Sequence, residues 1–154
     1  MITIRNYSEE DAKALWDIHF YTIRNINIRD YSQAQVEAWA PERLDSSVWE
    51  SRMKGLSPFV AEIDGIIVGY TDLQASGLID HFFCHHEYQG KGVGKSLMNH
   101  VFKVGNSRGI KRYFSEVSIT ARPFYEHFGF KVVQAQEMEV RGQKLRNFVM
   151  EKYS

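Results

Sequence analysis

Cysteine occurs once, at Cys84, so an intrachain disulfide is excluded. That usage suits a reducing compartment, and the expected location is cytoplasmic. Proline occurs only three times, and no Pro-, Gly- or Ser-rich linker and no internal repeat divides the chain. Neither sign of charge is in surplus, because Lys+Arg and Asp+Glu number 19 each. A nucleic-acid binder needs excess basic residues to displace counterions from phosphates, so nucleic acid is not an expected partner. No apolar run approaches the roughly 20 residues that span a bilayer. The opening MITIRNYSEE lacks the apolar stretch of a signal peptide. A membrane is not an expected partner either.

What is present is the make-up of an ordinary globule, 44% hydrophobic and 25% charged over 154 residues. That suffices to bury a core without disulfide or metal staples, and the length fits one domain spanning 1–154. Ile2 to Arg5 alternates like a short strand. Ser8-Glu9-Glu10-Asp11 and Ser32-Gln33-Ala34-Gln35 have the form of capping boxes. They predict a helix to about Asn25 and a shorter one closed near Trp39 by Pro41, with a third helical piece over 44–53. The period then changes. Phe59, Ala61 and Ile63 alternate up to Asp64-Gly65, a two-residue hairpin signal, and a strand resumes from Ile66 to about Leu73.

Residues 78–84 read as another strand, followed by a helix over 92–108 with Val93, Leu97, Met98, Val101 and Val104 on one stripe. A strand over 112–117 and a short helix over 121–128, ended by Gly129, come next. Strands over 130–140 and 145–152 close as a hairpin around Arg141-Gly142. The expected fold class is α/β (α+β), a mixed, mostly antiparallel central sheet of about six or seven strands with helices on both faces.

The segment Gln89-Gly90-Lys91-Gly92-Val93-Gly94-Lys95-Ser96 lies between a strand and a helix. Three glycines leave the backbone bare, and the first amides of a helix lack intrahelical partners, so they suit phosphate oxygens. Lys91 and Lys95 would add charge. A Walker A loop would need glycine where Gln89 stands, and the dinucleotide fingerprint would need glycine at Lys95. A plain glycine-rich turn before a helix is the competing reading.

The pattern Gln89, Gly92, Gly94 resembles the acetyl-CoA loop of the GNAT (Gcn5-related N-acetyltransferase) superfamily. A second segment, Ala121-Arg122-Pro123-Phe124-Tyr125-Glu126-His127-Phe128-Gly129-Phe130, is similar to that family's A-x-x-F-Y-x-x-x-G-F helix and turn. The stretch from Val140-Arg141-Gly142 to Met150-Glu151-Lys152 resembles bacterial members of the YafP-like type. The resemblance implies a GNAT fold splayed between its fourth and fifth strands, 78–84 and 112–117. It implies acetyl-CoA as co-substrate, no metal, and direct transfer of acetyl to a small-molecule or protein amine. Homodimers are common in the family, but no interface pattern is evident in this chain.

Carried over residue by residue, backbone groups of Phe82, Phe83 and Cys84 would meet pantetheine. Amides from Gln89, Gly90, Lys91, Gly92, Val93, Gly94, Lys95 and Ser96 would meet the diphosphate. The amide near Cys84 would stabilise the thioester oxyanion. Ser118 stands where many members have asparagine. Tyr125 matches the family's tyrosine that donates to the CoA sulfur. The position of a catalytic glutamate in some members falls on Leu78, which accepts no proton. Asp80, on the same face of a strand, is the first candidate base, Glu116 the second, and ordered water a third; His81 would face the other side. Tyr21, Tyr31 and Trp39 lie in the family's variable substrate wall. His81, Cys84, His85 and His86 suggest zinc, but strand alternation would turn His85 away from Cys84 and His86. The alternatives to an enzyme are a silent acyl-CoA-binding module and a nucleotide phosphate-binding protein.

Overall fold

The computed structural model describes all 154 residues. Seven strands form two sheets, β1 (Ile2–Asn6), β2 (Phe59–Ile63), β3 (Ile66–Thr71) and β4 (Phe82–Cys84) in one, β5 (Arg112–Ser118), β6 (Lys131–Val140) and β7 (Gln143–Tyr153) in the other. The orders are β1-β2-β3-β4 and β5-β7-β6, all neighbours antiparallel. A single parallel bridge, Leu78 to Phe114, joins the two. There the chains hold together, with Ile79 N–H donating to the Phe114 carbonyl at 2.9 Å and Phe114 N–H to Gly77 at 3.1 Å. Past that point β4 and β5 diverge.

The helices are α1 (Ala12–Asn25), α2 (Gln33–Trp39), α3 (Ser46–Leu56), α4 (Val93–Ser107) and α5 (Arg122–His127). Local signals set most of their ends. The Ser32 hydroxyl accepts from Gln35 N–H at 3.1 Å while Gln35 Oε1 accepts from Ser32 N–H at 2.8 Å, the reciprocal box that opens α2. Asp45 caps α3 by accepting from Val48 N–H, which starts that helix later than the spacing predicts and carries it to Leu56. The β6–β7 turn is Arg141-Gly142, with φ of +45° and +83°. Two positive φ values match the twist of the flanking strands.

The first sheet separates two layers. Leu15 and Ile18 of α1 and Trp49 and Met53 of α3 pack with Val60 and Tyr70. Val93 and Leu97 of α4 pack with Ala61 and Val68 on the other side. A Cβ on Gly69 would lie 2.9 Å from Val93 Cγ1, so α4 sits directly on β3. A third cluster, with Met98, Tyr113, Tyr125, Phe130 and Met150, ties α4 and α5 to the second sheet.

One predicted element is corrected. Residues 78–84 are not a continuous strand, because the chain leaves the ladder at 79–81. The buried Asp72 carboxylate takes the amides there, Asp80 N–H at 3.1 Å and His81 N–H at 2.6 Å. A side chain has replaced the neighbouring strand as acceptor.

Candidate active site

A cavity of about 1600 Å³ occupies the divergence of β4 and β5 and continues under α1, α3 and the β6–β7 hairpin. Its two ends differ. One is the backbone-rich rim formed by β4 and the glycine loop, and the other is a wall of aromatic and basic side chains.

The β4 rim follows from its register. His85 N–H donates to Val68 and Phe83 pairs Tyr70, so inward-facing groups alternate along this antiparallel ladder. The N–H groups of Phe82 and Cys84 therefore point to the open edge. The Cys84 carbonyl on that edge is already occupied, accepting from the Thr22 hydroxyl at 2.8 Å and Gln89 Nε2 at 3.0 Å. Cys84 N–H is left as a donor facing the gap.

The glycine loop supplies the next donors. Gly90 and Gly92 have φ of +73° and +84°, a region that favours glycine, and Gly92 caps α4. The N–H groups of Val93, Gly94 and Lys95 have no protein acceptor, whereas Ser96 N–H is spent on the Gly92 carbonyl at 3.0 Å. Three orphan amides at a helix start make a ready anion site. A Cβ on Gly94 would come 2.8 Å from Phe124 Cε1 and 3.6 Å from Cys84 Sγ. Gly94 is thus required for packing as well as for bare backbone. The rim thus offers backbone donors at the β4 edge and an anion site at the start of α4.

Of the residues singled out from sequence, Phe82, Phe83, Cys84, Gln89, Gly90, Gly92, Val93, Gly94 and Lys95 line the cavity. Lys91 lies outside that lining, exposed, its ammonium 5.6 Å from the Tyr88 ring. The Gln89 side chain braces the loop. Ser118 also lines the cavity, but its hydroxyl accepts from Ala121 N–H at 3.0 Å and so helps open α5.

Tyr125 is buried on the cavity wall, its hydroxyl only 3.4 Å from Ser115 Oγ. Ser115 spends its own proton on the Ile79 carbonyl at 2.7 Å. Burial lifts the Tyr125 phenol well above its ordinary value and pushes the Cys84 thiol up to about 12. Asp80 and Glu116 both line the cavity, and neither carboxylate has a protein hydrogen-bond partner.

The substrate-wall expectations divide. Trp39 lines the cavity half-buried. Tyr31 lines it too, yet its hydroxyl is a strut, donating to the Arg146 carbonyl at 2.6 Å and accepting from Ile119 N–H at 2.9 Å. Tyr21 is corrected: it is 46% exposed, outside the cavity, edge-on to Phe20 and tilted beside His86. Its helix buries Leu15, Ile18, His19 and Thr22, and Tyr21 falls off that stripe.

His81 is also corrected, since it is buried and lines the cavity. The break at 79–81 voids the alternation that would have turned it away. Its Nδ1 lies 3.0 Å from the Tyr70 hydroxyl, which in turn lies 3.5 Å from His19 Nδ1. Burial drops His81 to about 4 and His19 well below its usual value, so both rings are neutral at pH 7. The alternation fails beyond Cys84 as well. His85 and His86 stack at 4.8 Å, and with Glu87 they offer ligand atoms within 4.8 Å of one another.

Sequence reasoning missed several cavity groups. Thr120 Oγ1 and Asn147 Oδ1 are buried there without partners, and Trp16, His19, Arg52 and Arg141 stand on the wall. Asp72, which bends the chain so that Asp80 and His81 both reach the cavity, is held at about 6 by burial.

Comparisons with known proteins agree with this geometry. Residues 27–152 match the model of the acetyltransferase (GNAT) domain. The uncharacterized N-acetyltransferase YafP of Escherichia coli is 32% identical over 149 residues, covering 97% of this chain and 94% of that protein. A GCN5-related N-acetyltransferase from Rhodopseudomonas palustris superposes with a TM-score of 0.94 at 29% identity, over 99% of this chain and 95% of its own. The PaiA N-acetyltransferase of Thermoplasma acidophilum, solved with coenzyme A, shares the fold at a TM-score of 0.76 and 22% identity, over 100% of this chain and 99% of its own.

Proposed function

The chain belongs to the GNAT acetyltransferase family, and on that premise we propose that it transfers acetyl from acetyl-CoA directly to a primary amine within one domain. The observation that carries this reading is the continuous row of unpaired donors along the open rim, from Cys84 N–H to the amides of Val93, Gly94 and Lys95. Such a row suits the pantetheine amides at one end and the diphosphate at the other. CoA is bound in the Thermoplasma relative, and the same co-substrate is proposed here.

Cys84 N–H is the donor proposed to meet negative charge as it develops on the thioester oxygen. The amine nitrogen attacks the carbonyl carbon, the carbon–sulfur bond breaks, and Tyr125 donates its proton to sulfur. Burial keeps the phenol protonated, and so present as a donor, up to high pH. Asp80 receives the amine's proton, with Glu116 or an ordered water as the second choice.

An acetyl-CoA assay against an amine panel, read by free thiol, tests the reading. Amine-dependent thiol release is expected, with kcat reduced about 10- to 10²-fold in Asp80→Asn and restored as pH rises toward the amine's own pKa. CoA binding without thiol release for any amine would instead favour a silent acyl-CoA-binding module. Preference for ATP over CoA would favour a nucleotide-binding protein.

A further inference from the structure

Two imidazoles and one phenol meet at the cavity wall, and none of them has a part in the transfer described so far. Tyr70 on β3 is fully buried, its ring stacked on Phe83 at 5.8 Å. Its hydroxyl lies 3.0 Å from His81 Nδ1 and 3.5 Å from His19 Nδ1. One phenol thus bridges a ring on α1 and a ring at the 79–81 break. Both imidazoles are fixed in place. The Asp72 carboxylate accepts from His81 N–H at 2.6 Å, and the Thr71 hydroxyl donates to the His81 carbonyl at 2.8 Å. His19 packs edge-on to Phe83 at 4.8 Å and against Trp49 at 5.2 Å. Both rings line the cavity, and their Nε2 atoms have no protein partner and remain accessible.

A tyrosine hydroxyl donates only once, so a complete chain needs one Nδ1 to give a proton and the other to take it. The two neutral rings are then opposite tautomers, and the cavity meets one bare Nε2 and one Nε2–H. Such a chain passes a proton without holding charge, because uptake at one end is matched by release at the other. Neither buried ring becomes an imidazolium, which desolvation opposes. The reaction needs an outlet of this kind. An ammonium acceptor loses one proton to become a nucleophile and a second once the carbon–nitrogen bond has formed. Asp80 accounts for one of them. We propose that the other leaves through His81, Tyr70 and His19, acting as a relay. The nitrogen's N–H bond breaks toward His81 Nε2 while His81 Nδ1–H passes to the Tyr70 oxygen. The Tyr70 proton passes to His19 Nδ1, and His19 Nε2–H to water in the cavity. The three groups keep their number of protons, with both tautomers exchanged, and water reaching both Nε2 atoms after product release restores them. The relay rests on the acetyltransferase reading and deepens it. His81 touches the acceptor, and Tyr70 and His19 act through it.

Nitrogen NMR of histidine-labelled protein, with and without CoA, reads the tautomers, with signals assigned through His19→Gln and His81→Gln. The Nδ1–H populations of the two rings are expected to sum to about one. Single-turnover acetylation of every panel amine that the parent accepts supplies the second readout. Tyr70→Phe and His19→Gln should each slow the chemical step about 10- to 100-fold, with amine and CoA affinity kept. The double variant should fall no further than the worse single, because a broken chain cannot be broken twice. Thermal melts accompany each variant, and His19→Gln with His81→Gln gives the same comparison if Tyr70→Phe does not fold. Losses that add, a Tyr70→Phe rate equal to the parent's, or weakened amine affinity in place of a slower step overturns the relay. Populations that are not complementary in an active enzyme sink the relay alone. A parent silent toward every amine, with complementary populations, counts against the acetyltransferase reading and takes the relay's role with it.

Discussion

Replacing Tyr125 with phenylalanine is expected to lower kcat by about 10- to 10³-fold while leaving acetyl-CoA affinity almost unchanged. The substitution is structurally mild. The Tyr125 hydroxyl makes one long hydrogen bond, 3.4 Å to Ser115, and Ser115 keeps its bond to Ile79 when the hydroxyl goes. The ring's contacts with Phe82, Phe124 and Phe130 are retained. What is lost is a proton donor that burial keeps protonated up to high pH. The deficit should shrink for acyl donors whose leaving thiol is more acidic, because those need no donor. Steady-state kinetics across pH with two thioesters measures this, and turnover equal to the parent's with both would remove Tyr125 from the chemistry.

Gly94→Val is expected to do the opposite, weakening CoA binding about 100-fold and lowering stability together. A Cβ there meets the Phe124 ring at 2.8 Å and 3.1 Å. That ring has little room to retreat, lying 5.2 Å from Phe82 and 4.9 Å from Phe128. Overpacking of this kind costs about 1–3 kcal/mol, a fall in Tm of several degrees. The first turn of α4 would shift away from Cys84, and its amides would no longer sit in line with the β4 edge. Loss of one charge-assisted hydrogen bond at about 1.5–3 kcal/mol accounts for the affinity. Calorimetry and thermal melts on one sample read both effects. An unchanged CoA affinity with a lowered Tm would mean that Gly94 serves packing alone.

The parts of this molecule written in local chemistry were legible in the sequence. The box at Ser32 to Gln35, the Asp64-Gly65 and Arg141-Gly142 turns and the apolar stripe of α4 each depend on residues within a few positions, and the structure has them where the spacing put them. The glycine loop was legible for the same reason. The path of 78–84 was not, because it is set by Asp72 reaching across to Asp80 and His81, and no periodicity records such a contact. Every face assigned by alternation along that run inherits the error, His81 above all. Tyr21 could have been set aside from sequence, since it lies off the stripe of Leu15, Ile18, His19 and Thr22.

Calorimetric titration of the purified protein with CoA and with pantetheine, which keeps the arm and lacks the diphosphate, tests the central claim most directly. Saturable one-to-one heat is expected for CoA, with pantetheine, which also lacks the adenosine 3′-phosphate, weaker by about 100-fold or more, a loss to which the α4 amides contribute through the diphosphate. No heat with CoA, or equal affinity for both, would contradict it.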